Sequence, residues 1–380
     1  MTVNRLQELH DAGVSIWLDY IDRTMLRNGN LARRIREDAL TGQTSNPTIF
    51  EKALAEGTAY DDQLRDAQRG LSADRLFELV EVDDVRAACD IFRAVYDRSG
   101  GTDGFVSIEV SPGAANDSRA TIAEARRLWE AVARPNVMVK VPGTTDGAKA
   151  VRALLEEGIN INITLLFAID AYERIIDAYL GALEDRLANN RPIDRIASVA
   201  SFFVSRVDTE VDKRLDTLIG TSPPDQSRQM LDLKGKAAVA NAKLAYRLFR
   251  EHFSGERWER LRAAGARVQR PLWASTGTKN PAYRDVIYVE ELIGPDIVNT
   301  MPPATIDAFR DHGSVKRTVD QNVEDSQRIV EDLDRLGIPM KDVTDKLLKE
   351  GIASFQKSFD TLVAGLNTKS QSLGRALVGS

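Results

Sequence analysis

One lysine stands out as a candidate nucleophile. Lys140 lies in the segment NVMVKVPGT, between two valines and immediately before a Val-Pro-Gly turn. A lysine at the end of a buried strand loses solvation, which favours its neutral amine, and a neutral amine that meets a carbonyl forms a Schiff base. The alternative is a structural lysine whose ammonium group lies at a sheet edge. We predict a Schiff-base lysine at this position.

Two carboxylates could carry the protons that such chemistry moves. Asp19 ends the run VSIWLD and Glu109 lies near the end of FVSIEV. Imine formation, imine hydrolysis and C–C cleavage all require proton transfer to or from a positioned side chain. The alternative is that either carboxylate forms an ion pair that only neutralises Lys140. We predict that both act in catalysis.

Uncharged and basic side chains extend the candidate site. Hydrogen-bonding groups suited to a polyol come from four positions: Asn46, Asn162, Thr164 and Ser201. Taken singly, each of these is more often a capping or turn residue. Two polar loops, one with Arg206 in SFFVSRVD and one with Ser275 and Lys279 in ASTGTKNP, each leave a strand. We expect both to meet a helix start, where backbone N–H groups favour an anion, and therefore predict a phosphate site.

These residues lie on a repeating pattern of short β-like runs and long amphipathic stretches. Eight runs are predicted, at 14–19, 42–46, 105–110, 136–141, 159–165, 195–203, 270–275 and 296–300. Strands that alternate with helices imply parallel crossovers, in either an open doubly wound sheet or a closed barrel. The count of eight favours an α/β fold of the (β/α)8 TIM-barrel class. We expect a single domain over 1–380, with extra helices at about 303–367 and a polar C-terminal tail.

Alternation within the runs indicates which side chains face the barrel lumen. In FVSIEV, aliphatic residues occupy positions 106, 108 and 110, whereas Ser107 and Glu109 share the other face. The aliphatic face of a parallel barrel packs against the helices, so the other face lines the lumen. The same alternation places Lys140, Asn162 and Asp19 in the lumen. Polar groups gathered at the C-terminal ends of strands predict an active-site pocket rather than a structural core.

Composition excludes several other classes of protein. The chain has 380 residues and a net charge of -6 without a basic block, which argues against a nucleic-acid binder. It contains no run of about 18 apolar residues that could span a membrane, and its N-terminus lacks a signal-peptide core, so we expect a cytoplasmic location. Cys89 is the single cysteine, and His10, His252 and His312 are scattered. We therefore expect no metal site.

The segments that carry these residues resemble transaldolase. They are IWLDYIDR at 16–23, TSNPTIFEKA at 44–53, SIEVSP at 107–112, VMVKVPGT at 137–144, INITLLF at 161–167, SFFVSRVD at 201–208, WASTGTKNPAY at 273–283 and MPPATIDAF at 301–309. The resemblance extends from about 14 to 309 in the order of the family. Chain length and the WLD and TGTKNP details are most similar to the actinobacterial type of this family.

The resemblance implies a role for each catalytic candidate. Lys140 would form the Schiff base with the ketose donor. Asp19 would take the proton from the C4 hydroxyl during cleavage and return it on addition. Glu109 would move protons for imine formation and hydrolysis through a water also held by Thr164.

The resemblance also implies the substrate-binding residues. Asn46 and Asn162 would hold the dihydroxyacetone hydroxyls, next to Ser201 and Phe203. Arg206 would bind the sugar phosphate together with Ser275 and Lys279. Better-known members carry an arginine in a shorter loop where this chain has TGTKN, so Lys279 supplies a point charge in place of a two-pronged guanidinium.

The implied activity is that of a transferase of the pentose phosphate pathway. A dihydroxyacetone unit would pass from sedoheptulose 7-phosphate or fructose 6-phosphate to glyceraldehyde 3-phosphate or erythrose 4-phosphate, without metal or cofactor. Phosphorylated sugars are then the expected partners. The sequence leaves the acceptor preference open, as well as the choice between monomer and homodimer.

Two alternatives remain. Fructose 6-phosphate aldolases are similar in sequence but much shorter, and they have glutamine where this chain has Glu109 and tyrosine where it has Phe203. A catalytically silent sugar-phosphate-binding barrel would be expected to have lost Lys140, Asp19 or Glu109, and this chain has all three.

Overall fold

The eight predicted strands form one closed parallel barrel. The computed structural model describes residues 4–55, 57–67 and 71–376. Its strands are β1 (Val14–Asp19), β2 (Leu40–Thr44), β3 (Phe105–Glu109), β4 (Val137–Pro142), β5 (Ile161–Leu166), β6 (Ser198–Phe203), β7 (Arg270–Ala274) and β8 (Ile297–Met301). They pair in sequence order, and β8 closes the barrel against β1. The predicted (β/α)8 fold class is confirmed, and each strand overlaps its predicted run.

Helices connect the strands and continue after the last one. In the described part of the chain they are α1 (Arg5–Asp11), α2 (Arg23–Arg27), α3 (Asn30–Glu37), α4 (Pro47–Ala55), α5 (Asp61–Asp66), α6 (Ala73–Arg98), α7 (Ser118–Val132), α8 (Thr145–Glu157), α9 (Ile169–Ala188), α10 (Ser205–Ile219), α11 (Pro224–Leu233), α12 (Ala237–His252), α13 (Gly255–Ala263), α14 (Ile287–Glu290), α15 (Pro303–His312), α16 (Val323–Arg335) and α17 (Met340–Ala376). Among these, no helix has both the length and the apolar composition needed to span a membrane.

Strand register brings polar side chains together inside the barrel. In β4, Val137, Val139 and Val141 are fully buried on the face that packs against the helices, whereas Lys140 points into the lumen. The register pairs Glu109 with Lys140, and Lys140 with Asn162. Because residues paired across parallel strands share a face, these three side chains lie side by side on β3, β4 and β5.

Trp17 and Trp273 pack within the fold and do not line the cavity that holds Lys140. Trp17 is fully buried, and its indole N–H donates to Asp103 Oδ1 at 3.0 Å. A Cβ at Gly42 would come within 2.5 Å of the Trp17 ring, so this position on β2 accommodates only glycine. Trp273 is also fully buried and donates to the Leu292 carbonyl at 3.2 Å.

The C-terminal helix is longer than the sequence predicts. We expected helical structure to end near 367, but α17 continues to Ala376. Leu362 and Leu366 are buried, and Lys369 Nζ lies 2.9 Å from Asp61 Oδ1, so packing and an ion pair hold this part of the helix against the rest of the chain. Residues 377–380 of the predicted tail lie outside the described residues.

Candidate active site

Most of the predicted site residues line one cavity at the C-terminal end of the barrel. The cavity has a volume of about 380 Å³, and its lining includes Asp19, Asn46, Lys140, Thr164, Ser201, Phe203, Arg206, Ser275 and Lys279. The two other predicted residues lie directly behind it: Glu109 bonds to Lys140, and Asn162 bonds to Ser201. Three clefts on the surface are larger: those of about 1010 and 670 Å³ contain none of these residues, and one of about 550 Å³ contains only Lys279.

Lys140 is held in a buried ion pair. Its side chain is 6% exposed, and Nζ donates to Glu109 Oε2 and to the Ser45 carbonyl, both at 2.8 Å. Burial raises the pKa of Glu109. The positive charge of Lys140 lowers this pKa, and the negative charge of Asp19 raises it. A carboxylate that binds a proton more readily than usual therefore contacts the amine directly. This arrangement allows Glu109 to accept the proton that Lys140 must lose to become a nucleophile.

Asp19 occupies a different environment. Its Oδ1 accepts a hydrogen bond from Thr44 Oγ1 at 2.8 Å, and Thr44 in turn contacts Thr300 Oγ1 at 2.7 Å. Burial raises the pKa of Asp19, although the positive charge of Lys140 lowers it. Asp19 makes no salt bridge with the described residues. Glu109 therefore forms the ion pair with Lys140 that the alternative interpretation expected, whereas Asp19 does not.

Three uncharged side chains continue the polar surface across β5 and β6. Asn162 is fully buried, donates to Ser107 Oγ at 3.0 Å and accepts from Ser201 Oγ at 2.6 Å. These bonds fix the orientation of the Asn162 amide. Thr164 Oγ1 is buried in the same lumen without a hydrogen-bond partner in residues 4–55, 57–67 and 71–376. A buried hydroxyl in this situation can bind a water or a substrate atom.

Asn46 combines a capping role with a place in the cavity. Its Oδ1 accepts from the backbone N–H of Ile49 at 3.0 Å, which caps the first turn of α4. Pro47 follows as the first residue of this helix. The amide nitrogen of Asn46 makes no hydrogen bond to the described residues and can donate to a ligand. The turn and substrate-binding interpretations of Asn-Pro are therefore compatible.

The cavity contains cations that have no acidic partner. Arg206, Lys279 and Lys52 all line it, and none of them makes a salt bridge or hydrogen bond with the described part of the chain. Burial lowers the pKa of Arg206, and burial together with the charge of Arg206 lowers the pKa of Lys279. Grouped cations that make no salt bridge with the described residues are suited to bind an anion such as a phosphate ester.

The two predicted phosphate loops differ in structure. Arg206 is the second residue of α10, which starts directly after β6, as expected. The prediction of a helix start was wrong for the second loop, because the chain runs irregularly from Ser275 to Val286 before α14. Asn280 and Pro281 form a turn here, in which Asn280 Oδ1 accepts from the Ala282 backbone N–H at 3.0 Å. Ser275 adopts a left-handed φ of 56° and contacts Ser205 Oγ at 2.9 Å, which ties the two loops together.

The described residues contain no group of three or more His, Cys, Asp or Glu side chains that could hold a metal ion. The chemistry derived below uses only the amine, carboxylates, hydroxyls and cations of the cavity.

Comparison with known proteins identifies the family. The family model described as "Transaldolase/Fructose-6-phosphate aldolase" matches residues 16–366. The chain belongs to this family. The transaldolase of Parafrankia sp. (strain EAN1pec) is 49% identical over 373 residues, which cover 98% of each chain. The transaldolase of Thermobifida fusca (strain YX) is 49% identical, covering 94% of this chain and 96% of the relative. That of Mycobacterium bovis (strain BCG / Pasteur 1173P2) is 47% identical, covering 96% and 98%.

Membership of the transaldolase family confirms the assignment made from the eight sequence segments. The match runs beyond the last of these segments, which ends at 309, and includes most of α17. The C-terminal helices, up to residue 366, thus lie within the region that the family model matches. The roles of the individual residues stay predictions.

Several cavity residues were not predicted from the sequence. Thr44 lies two positions before Asn46, so alternation along β2 was a usable signal for it. Thr300 on β8 and Lys52 on α4 carry no local signal that separates them from ordinary strand and helix residues. Phe355 lies on α17, far along the chain, and only the tertiary fold brings it to the cavity.

Proposed function

We propose that the chain is a transaldolase that carries a dihydroxyacetone unit as a Schiff base on Lys140. The donor would be sedoheptulose 7-phosphate or fructose 6-phosphate, and the acceptor glyceraldehyde 3-phosphate or erythrose 4-phosphate. The observation that supports this most strongly is the buried Lys140–Glu109 pair, which lies beneath a cavity that also holds unpaired cations. A role in pentose phosphate metabolism is consistent with this activity.

Imine formation would use the contact already present between Lys140 and Glu109. Glu109 takes a proton from the ammonium group, and the free amine attacks the C2 carbonyl of the ketose. Glu109 then returns the proton, through a water held by Thr164, to the hydroxyl that leaves as water. The product is a protonated imine, so the proton is conserved and no base from solvent is required.

Cleavage of the C3–C4 bond would use the second carboxylate. Asp19 removes the proton from the C4 hydroxyl, the aldose phosphate leaves as an aldehyde, and the electron pair of the broken bond moves toward the protonated imine. The acceptor aldehyde then adds at C3, and Asp19 returns its proton to the carbonyl oxygen of the aldehyde, which becomes the new C4 hydroxyl. Asn46 and Asn162 hold the donor hydroxyls, with Ser201 and Phe203 beside them, so that the reacting atoms stay aligned.

The cations would bind the phosphate at the far end of the substrate. Arg206 lies in the first turn of α10, where the positive end of the helix dipole adds to its charge. Lys279 and Ser275 approach from the loop after β7. A charge-assisted contact with phosphate contributes more than a neutral hydrogen bond, so this region should govern the affinity for phosphorylated sugars.

A two-substrate assay tests the proposal. With fructose 6-phosphate and erythrose 4-phosphate together, we expect sedoheptulose 7-phosphate and glyceraldehyde 3-phosphate in equal amounts. With fructose 6-phosphate alone, we expect little free dihydroxyacetone. Continuous release of dihydroxyacetone without an acceptor would instead indicate an aldolase. No reaction under either condition, with folded protein, would leave only a binding function.

A further inference from the structure

The C-terminal helix α17 lies against the mouth of the barrel and contributes to the cavity. Thr48 on α4 donates to Ser358 Oγ at 2.9 Å, and Lys346 Nζ donates to Glu210 Oε2 on α10 at 2.7 Å. Phe355, between these two contacts, is 5% exposed and lines the cavity. One face of α17 is therefore fixed to the two helices that follow β2 and β6.

Aromatic rings and helix backbone surround the Arg206 guanidinium. Its Cζ lies 5.1 Å from the ring centroid of Phe203 and 6.0 Å from that of Phe355. A Cβ built at Gly351 would lie 3.7 Å from Arg206 Nη1, so α17 passes close to the guanidinium one turn before Phe355. Within the described residues Arg206 makes no hydrogen bond and no salt bridge, so these contacts position it.

Such a setting suits a phosphate-binding arginine. A carboxylate partner would hold the guanidinium firmly, but it would compete with the phosphate for the same N–H donors. Ring faces attract the cation without occupying its donors, and they also limit the rotamers of the long side chain. The guanidinium is thus oriented although its N–H groups make no hydrogen bonds to the described residues.

We propose that Phe355 is a positioning residue for phosphate recognition, which acts by holding the Arg206 guanidinium against Phe203. This inference rests on the proposed function, because it takes the phosphate of a sugar phosphate as the ligand of Arg206. It assigns α17 a role in substrate specificity in addition to packing.

The test compares Phe355→Leu and Phe355→Ala with a matched control on the same helix. Leucine keeps apolar volume and removes the ring face, so it separates orientation from packing. Phe359 packs against Phe77 with ring centroids 5.8 Å apart and does not contact Arg206, so Phe359→Ala reports the general cost of a lost α17 ring. Phe355→Tyr restores an aromatic face.

For Phe355→Leu we expect KM for fructose 6-phosphate to rise about three- to tenfold, with a much smaller change in kcat, because a cation–π contact of ordinary strength is lost. KM for unphosphorylated fructose should change much less. Phe355→Ala should show at least as large an effect, Phe355→Tyr should recover most of the affinity, and Phe359→Ala should keep the wild-type KM.

Binding of inorganic phosphate supplies a readout that needs no turnover. Calorimetric titration should give a Kd that rises in Phe355→Leu and not in Phe359→Ala. Equal KM and Kd values in Phe355→Leu and wild type would overturn the proposal. So would equal losses in Phe355→Leu and Phe359→Ala, since that result indicates packing alone. If wild-type protein neither transfers nor binds phosphate, the proposed function fails instead, and the two failures are distinguishable.

Discussion

At the scale of single residues, the arrangement of charges explains how one lysine can act as a nucleophile. Lys140 is buried, yet its Nζ donates hydrogen bonds to a carboxylate and to a carbonyl before substrate arrives. Glu109 can hold the proton afterwards because burial raises its pKa. The Lys140–Glu109 ion pair, which was the alternative interpretation, is therefore the state of the site before substrate binds. It is compatible with the proposed Schiff-base chemistry.

Lys279 provides a direct test of the phosphate site. We expect Lys279→Ala to raise KM for fructose 6-phosphate about tenfold or more, the size of one lost charge-assisted hydrogen bond. Turnover of an unphosphorylated ketose should change much less. Steady-state kinetics with both substrates measures the difference, and Lys213→Ala, an exposed lysine on α10, is the control. Equal effects on the two substrates would remove Lys279 from the phosphate site.

At the scale of secondary-structure elements, the strands were far more predictable than the loops. Each β-like run is short, apolar on one face and followed by a long amphipathic stretch, so eight strands and their lumen faces could be read from local pattern. Asp19, Glu109, Lys140 and Asn162 were found because they interrupt that pattern. The loop that carries Lys279 was predicted poorly, because its path depends on Ser275 and on contacts with distant residues. Phe355 was missed because nothing local distinguishes it from a core phenylalanine.

Two helical glycines should respond in opposite directions to the same substitution. A Cβ at Gly147 in α8 would overlap the Pro142 carbonyl oxygen, whereas a Cβ at Gly365 in α17 would meet nothing within 4 Å. We expect Gly147→Ala to lower the free energy of unfolding by about 1–3 kcal/mol through steric overlap. Gly365→Ala should raise it by up to about 1 kcal/mol, because alanine favours helix. Urea denaturation of both variants measures this. Stabilisation by Gly147→Ala would show that α8 does not approach β4 as closely as described.

Asp208 should make the stability of the helix layer depend on pH. It is buried on α10, accepts from Tyr288 Oη and from the Ala238 N–H, both at 2.8 Å, and burial raises its pKa to about 6. An unfolded aspartate has a pKa of about 3.9, so between these values the folded state binds more protons, and stability falls as pH rises. Below about pH 3 the carboxyl is protonated in both states, and above about pH 7 the full penalty applies.

Comparison with Asp208→Asn isolates this contribution. Asparagine does not titrate, so the unfolding free energy of the variant relative to wild type should increase by about 2 kcal/mol between pH 4 and pH 7. Urea denaturation across this range gives the value. A difference that stays constant with pH would mean that the pKa of Asp208 is the same in the folded and unfolded states.

At the scale of the whole molecule, the barrel and the C-terminal helix together form the site. The barrel supplies the amine and the carboxylates at the ends of its strands, while α10 and the loop after β7 supply cations. Helix α17, joined to α4 and α10 by side-chain hydrogen bonds, brings Phe355 to the same cavity. The catalytic residues could be predicted from the pattern of the strands alone. That a distant helix closes the cavity follows only from the tertiary fold.

Borohydride trapping tests the central claim most directly. Protein treated with borohydride and fructose 6-phosphate should gain the mass of a reduced three-carbon adduct, and peptide mass spectrometry should place it on Lys140. Lys140→Ala should gain no adduct and lose transfer activity by roughly 10³-fold or more, with an unchanged circular dichroism spectrum. Lys149→Ala, an exposed lysine on α8, should behave as wild type. An adduct on another lysine, or none in folded wild-type protein, would contradict the account.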